Sequence, residues 1–209
     1  MFSFIKVLRS GILTNKLILK SIIMVALTTP ICDFGWKAPD FELLGIDEKN
    51  YTYSQIAGEN GTLVMFICNH CPYVKSVIHR IVEDCQILQD SGIGIIAIMS
   101  NDVNDPKYGH EDSFENMKLF SSNNYFSFPY VYDDTQETGK KYDAVCTPDF
   151  FGFNNNDELQ YRGRLEASQQ EIIPDAPKEL LEAMLQVAKT GLGPKEQIPS
   201  IGCSIKWKN

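Results

Sequence analysis

Basic side chains are in short supply. The 209 residues hold 19 Lys and Arg against 27 Asp and Glu, a net charge of −8. A general nucleic-acid binder needs a basic face to displace counterions from phosphates, so that class is excluded. Histidine is scarcer still, with three residues. Cysteine, with six, is too sparse for a disulfide-stapled miniature scaffold. A structural zinc site usually draws its four ligands from two close pairs, and this chain has only one Cys-x-x-Cys. No apolar run approaches the ~20 residues that span a bilayer, and there is neither an internal repeat nor a low-complexity tract. What remains is 44% hydrophobic and 22% charged, a globular composition of one domain with extensions.

Residues 1–32 stand apart. Lys6, Arg9, Lys16 and Lys20 precede the first acidic residue, Asp33, and an apolar stretch runs from Ser21 to Leu27. This is a weak signal-like segment or a plain arm, with Met24 as an alternative translation start. The expected organisation is an arm over 1–32, a domain over 33–191, and a tail over 192–209 packed on or near it. The expected compartment is cytoplasmic. Periplasmic location or membrane tethering through residues 1–30 is the alternative, so membrane contact is expected only if that segment is retained.

Within the domain, residues 39–44 alternate as a strand, and Tyr51 to Tyr53 can return as its hairpin partner. Thr62 to Ile67 is a continuous apolar run, the mark of a buried central strand. From Pro72 the period changes. Val74, Val77, Ile78, Ile81, Val82, Cys85 and Leu88 recur at three and four residues, which is one helical face, and Gly92 stands at its C-cap. Ile93 to Met99 is a second buried strand, so strand, helix and strand form a βαβ unit with parallel strands. After a polar, acidic loop over 101–112, the pattern predicts helices over 113–121 and, weakly, 135–142. A short strand is expected over 129–132 and a hairpin over 149–162. A last helix is expected over 174–189, capped by Asp175 and Gly191.

Chemistry concentrates at Cys68-Asn69-His70-Cys71-Pro72, where the central strand ends and the long helix begins. Two thiols at this spacing can close a small disulfide ring. The unpaired N–H groups and dipole of a helix N-terminus favour thiolate over thiol. Pro72 suits a first turn, where no N–H is needed. His70 brings a candidate positive charge beside the pair. His79 falls on the polar helix face and reads as a surface residue. His110 lies in the acidic loop without an identifiable partner. Cys85 reads as a small core residue, and Cys32 carries no readable role.

With Cys146-Thr147-Pro148 before a hairpin, the chain resembles a thioredoxin-fold redoxin. More narrowly it resembles peroxiredoxin-like proteins of the AhpC/TSA type with a thioredoxin-style CxxC. The matching segments are residues 66–73, 146–151, 161–164 and 201–207. The resemblance implies an α/β fold, a thioredoxin-like central mixed β-sheet flanked by helices, with an N-terminal β-hairpin and a C-terminal tail. It implies that Pro148 is a cis-proline facing the CxxC and that the Thr147 backbone is offered to a bound partner. Cys146 is then brought near the site as a buried structural residue or an additional thiol, and Cys203 folds back as a resolving thiol or simply packs.

One departure bears on activity. Peroxiredoxins carry P-x-x-x-T-x-x-C ahead of the peroxide-attacking Cys. Aligned on Cys71, that pattern places Val64 at the Pro position and Cys68 at the Thr position. Arg162 and Arg164 are the candidates for the missing arginine, although an Arg beyond a hairpin is expected at the surface. The leading expectation is a thiol–disulfide oxidoreductase with an antioxidant or redox-maintenance role. Cys68 attacks, Cys71 resolves, His70 stabilises the Cys68 thiolate, and Thr147 and Pro148 shape the groove. His70 precedes the second Cys as in C-P-H-C oxidases, which predicts a site more oxidising than thioredoxin. No organic cofactor or metal is required, since two sulfurs carry the electrons. The substrate is a protein disulfide, small thiol or peroxide, and a dithiol protein exchanges electrons with the site. Two alternatives stand beside it. One is a thiol peroxidase with Cys71 attacking and Cys68 resolving. The other is a copper- or other metal-binding module using Cys68, Cys71 and a histidine such as His110.

Overall fold

The computed structural model describes residues 26–208. The signal-like reading and the Met24 start concern residues that lie largely outside it. In chain order the elements are β1 (Ala26–Thr28), β2 (Glu42–Gly45), β3 (Asn50–Thr52), α1 (Tyr53–Ile56), β4 (Thr62–Phe66), α2 (Pro72–Asp90), β5 (Gly94–Met99) and α3 (Phe114–Asn123). There follow β6 (Tyr130–Tyr132), α4 (Glu137–Lys141), β7 (Cys146–Thr147), β8 (Asp149–Phe153), β9 (Leu159–Tyr161), α5 (Glu179–Thr190) and β10 (Ile201–Ser204).

Seven strands form the main sheet in the order β3-β2-β6-β5-β4-β8-β9. β4 and β5 pair in parallel with Leu63 opposite Ile95, as the βαβ pattern requires, and β6 continues in parallel with β5. β8 runs antiparallel to β4, and β9 returns antiparallel to β8. The sheet is therefore mixed, with β4 and β5 at its centre.

Both faces of these central strands are covered, which explains why they read as unbroken apolar runs. Leu63, Met65, Ile95 and Ala97 pack with the apolar stripe of α2 and with Leu180 and Met184 of α5. Val64, Phe66, Ile96 and Ile98 face the other way, into an aromatic layer of Phe41, Tyr53, Tyr142, Phe151 and Phe153. The period of two along a strand separates the two cores.

Three of the boundaries that differ from expectation bear on how the chain is organised. β3 stops at Thr52 because that side chain caps a single helical turn: its hydroxyl accepts from Gln55 N while Gln55 Oε1 accepts from Thr52 N. Helix α5 begins at Glu179 rather than 174, because Asp175 lies at φ 59, outside the helical region, and Lys178 precedes the first turn. The arm is not wholly separate either. Ala26–Thr28 pairs antiparallel with β10, and β10 pairs on its other edge with β7, making a second, three-stranded sheet. None of the described helices is long and apolar enough to cross a membrane.

Candidate functional site

Cys71 is the N-cap residue of α2, with Pro72 in the first turn. Cys68 lies on the short loop leaving β4. Both are buried. The Thr147–Pro148 peptide is cis, and β7 brings it against the pair. Cys68 Sγ is 3.2 Å from Thr147 Oγ1 and 3.6 Å from His70 Nδ1. Cys71 Sγ–H donates to the Thr147 carbonyl at 3.1 Å. Cys203 arrives on β10 with its Sγ 2.7 Å from that of Cys71. Cys68, Cys71, His70, Thr147 and Cys203 thus converge, while the Cys146 thiol donates to Pro148 O at 3.6 Å. Burial, followed by the charge of Asp149, pushes the Cys146 thiol up, as expected of a packed residue.

The site contains a carboxylate that the sequence reading did not single out. Asp112 is fully buried. Its Oδ1 accepts from Asn69 N at 2.9 Å and His70 N at 3.2 Å. Its Oδ2 accepts from His70 Nδ1 at 2.6 Å and Asn101 Nδ2 at 2.8 Å. The His70 ring stacks on Tyr108, centroids 4.4 Å apart. Four donors shape the CxxC loop around one acidic group. One signal could have found it: the 101–112 loop follows β5, the parallel neighbour of β4, so both loops leave the sheet at one edge.

This changes the electrostatics. Burial is the largest influence on Cys68 and pushes its thiol well up, reinforced by the hydrogen bond to Cys71 and then by the Asp112 charge. Burial also opposes ionisation of Cys71, but hydrogen bonds from Cys203, Cys68 and Thr147 outweigh it and hold Cys71 well below the ordinary thiol value. The hydrogen bond to Cys71, and then burial, push Cys203 up. The helix N-terminus and the neighbouring Cys68 and Cys203 sulfurs favour ionisation at Cys71 over Cys68. Asp112 thus sets a carboxylate 2.6 Å from His70 Nδ1, beside the thiol pair. Asp112→Asn removes that charge. It should move the pH profile of Cys68 alkylation, read by peptide mass spectrometry, to lower pH. An unmoved profile would show that Asp112 shapes the loop without acting on the thiol. Weakening a buried network of this kind should also cost about 1–3 kcal/mol in urea unfolding.

Other residues fall elsewhere. His79 and His110 are exposed; His110 does not approach the thiols, so it adds no ligand to Cys68 and Cys71. The ligand atoms of Cys68, His70 and Asp112 lie within 4.8 Å of one another, but His70 Nδ1 and Asp112 Oδ2 are committed to each other. Arg162 is not at the surface. Its side chain is 8% exposed because the β8–β9 hairpin brings it to Asp149, whose Oδ2 it meets at 3.3 Å, and it also donates to Asp143 O at 2.6 Å. Arg164, part-buried, pairs with Glu179.

Comparison with known proteins agrees with this architecture. A crystal structure of an uncharacterised conserved protein from Geobacillus kaustophilus is 40% identical, with a TM-score of 0.82 over 88% of this chain and 97% of that one. A hypothetical protein from Sinorhizobium meliloti 1021 is 30% identical, with a TM-score of 0.80 over 87% and 97%. A thiol:disulfide interchange protein of the thioredoxin family from Chlorobium tepidum shares the fold at 15% identity, with a TM-score of 0.55 over 74% and 96%. Among curated protein sequences, none matches this chain. The AhpC/TSA family profile matches residues 34–173, from the N-terminal hairpin through the CxxC and the cis-proline. On that match, and on a mixed sheet flanked by helices with two cysteines at the head of α2, the chain belongs to the AhpC/TSA family of thioredoxin-fold redoxins.

Proposed function

We propose that the protein is a thiol–disulfide oxidoreductase that exchanges electrons through Cys68 and Cys71. The observation that supports this most is the placement of the pair at the head of α2 and against the cis Thr147–Pro148 peptide, with Cys68 Sγ 3.2 Å from Thr147 Oγ1 and Cys71 Sγ 3.1 Å from Thr147 O. Cys68 passes its proton to the neighbouring Cys71 sulfur and attacks one sulfur of a substrate disulfide as the thiolate; the first substrate thiolate is expelled and takes that proton, and water protonates the second. The Cys71 thiolate then attacks Cys68 Sγ of the mixed disulfide and expels the second thiolate. The products are a Cys68–Cys71 disulfide and two substrate thiols, so the substrate is reduced and the protein oxidised. Thr147 Oγ1 steadies the Cys68 sulfur, and the Thr147–Pro148 backbone forms the floor. A partner dithiol protein restores the reduced pair.

The depressed Cys71 also favours a second reading, in which its thiolate attacks a peroxide oxygen and Cys68 condenses with the sulfenic acid, releasing water. Both reactions should be assayed on one preparation: dithiothreitol-driven reduction of insulin, and consumption of hydrogen peroxide. Disulfide reduction is expected to dominate. Rapid peroxide turnover with negligible insulin reduction would replace the first reading by the second.

A further inference from the structure

Cys71 has two sulfur neighbours from different parts of the chain. Cys68 is three residues before it. Cys203 is 132 residues after it, and its Sγ lies 2.7 Å away, closer to the ~2.0 Å of a disulfide than two unbonded sulfurs ordinarily approach. All three are buried. β10 is not a loose tail. It is paired on both edges, with Cys203 opposite Ala26 on one side and opposite Thr147 on the other. Thr147 is also the residue whose carbonyl accepts from Cys71 and whose hydroxyl meets Cys68. One backbone register therefore aligns the third thiol with the other two. Gly202 permits it: a Cβ at that position would collide with Thr147 O.

We propose that Cys203 is a third redox thiol that takes Cys71 over from Cys68, moving the disulfide from Cys68–Cys71 to Cys71–Cys203. This rests on the reading of Cys68 and Cys71 as the exchanging pair. The step is internal. Cys203 gives up its proton and its sulfur attacks Cys71 Sγ; the Cys71–Cys203 bond forms as the Cys68–Cys71 bond breaks. The electron pair leaves on Cys68, which takes up the proton. One disulfide and one thiol exist before and after, so no external oxidant or reductant enters. Cys68 is returned as a thiol while the disulfide waits on β10, away from the sulfur that met the substrate.

Trypsin distinguishes the two bonds. Cys68 and Cys71 share the peptide 50–75, whereas Cys203 lies in 196–206. The full chain is reduced, treated with one equivalent of diamide, blocked with N-ethylmaleimide and digested without reductant. Wild type is expected to give both an internal bond in 50–75 and a cross-link of 50–75 to 196–206, the cross-linked form carrying maleimide on Cys68. Cys68→Ser should raise the cross-link several-fold. Cys203→Ser, or Cys203→Ala where a hydroxyl disturbs the packing, should leave the internal bond alone. Suppose Cys68→Ser gives no cross-link under conditions where wild type forms the internal bond. That overturns the third-thiol role and leaves the exchange reading standing. If wild type forms neither bond, both fall.

Discussion

Replacing Cys68 by serine is expected to abolish insulin reduction, a loss on the order of 10³-fold or more. The reason is chemical rather than structural. An alkoxide is inaccessible near neutral pH, and an oxygen cannot form the mixed disulfide through which exchange proceeds. Cys71→Ser should lose as much at steady state, because the mixed disulfide forms and is not resolved; here a covalent adduct between protein and substrate should accumulate. The double variant should be no worse than either single, since the two sulfurs act as a unit. The adduct separates the roles. Its appearance in Cys71→Ser and not in Cys68→Ser assigns the attack to Cys68. The reverse pattern would make Cys71 the attacking sulfur and favour the peroxidase reading, which its depressed thiol allows.

Arg162→Ala should be the most destabilising single change remote from the thiols, about 3–5 kcal/mol in urea unfolding near neutral pH. The arginine lies against the Phe151 ring, 4.4 Å from its centroid, and is the cation facing the fully buried Asp149. Removing it leaves a carboxylate uncompensated in the interior. Burial already raises Asp149 from its ordinary 3.8 to about 6, with Arg162 opposing that rise. The unfolded carboxyl releases its proton near 3.8 and the folded one near 6, so between those values the folded state binds the extra proton. Asp149 therefore contributes a loss of stability as pH rises through that window. Without Arg162 the carboxyl is harder still to ionise, so the penalty should be smaller at pH 5 than at pH 8. Unfolding curves of wild type and variant at both values test this. An equal loss at the two pH values would mean that Arg162 acts through packing and its bond to Asp143 O, not through charge.

Much of the fold was legible along the chain because its signals are local. The run Thr62–Ile67, the stripe of α2 and the second run to Met99 each report which face of an element is buried, and together they specify the parallel pair at the sheet centre. The CxxC at the strand-to-helix junction was legible for the same reason: spacing, the first-turn proline and the helix N-terminus are properties of consecutive residues. Errors arose where local preference met a competing contact. Asp175 looked like a helix cap, yet its backbone is left-handed and α5 begins four residues later.

By itself, then, the sequence determined a mixed α/β redoxin and the position of its thiol pair. Tertiary structure alone decided what surrounds that pair. Asp112 comes from 42 residues beyond His70, Thr147 from 79 beyond Cys68, and Cys203 from 132 beyond Cys71. None of these separations carries a periodic signal, because each contact is made by strand order and register rather than by spacing. The same holds for Arg162, which composition places at the surface and the β8–β9 hairpin places against a buried carboxylate. Which sulfur ionises depends on the summed burial, hydrogen bonds and charges of groups scattered along the chain, and these acquire distances only when the sheet closes.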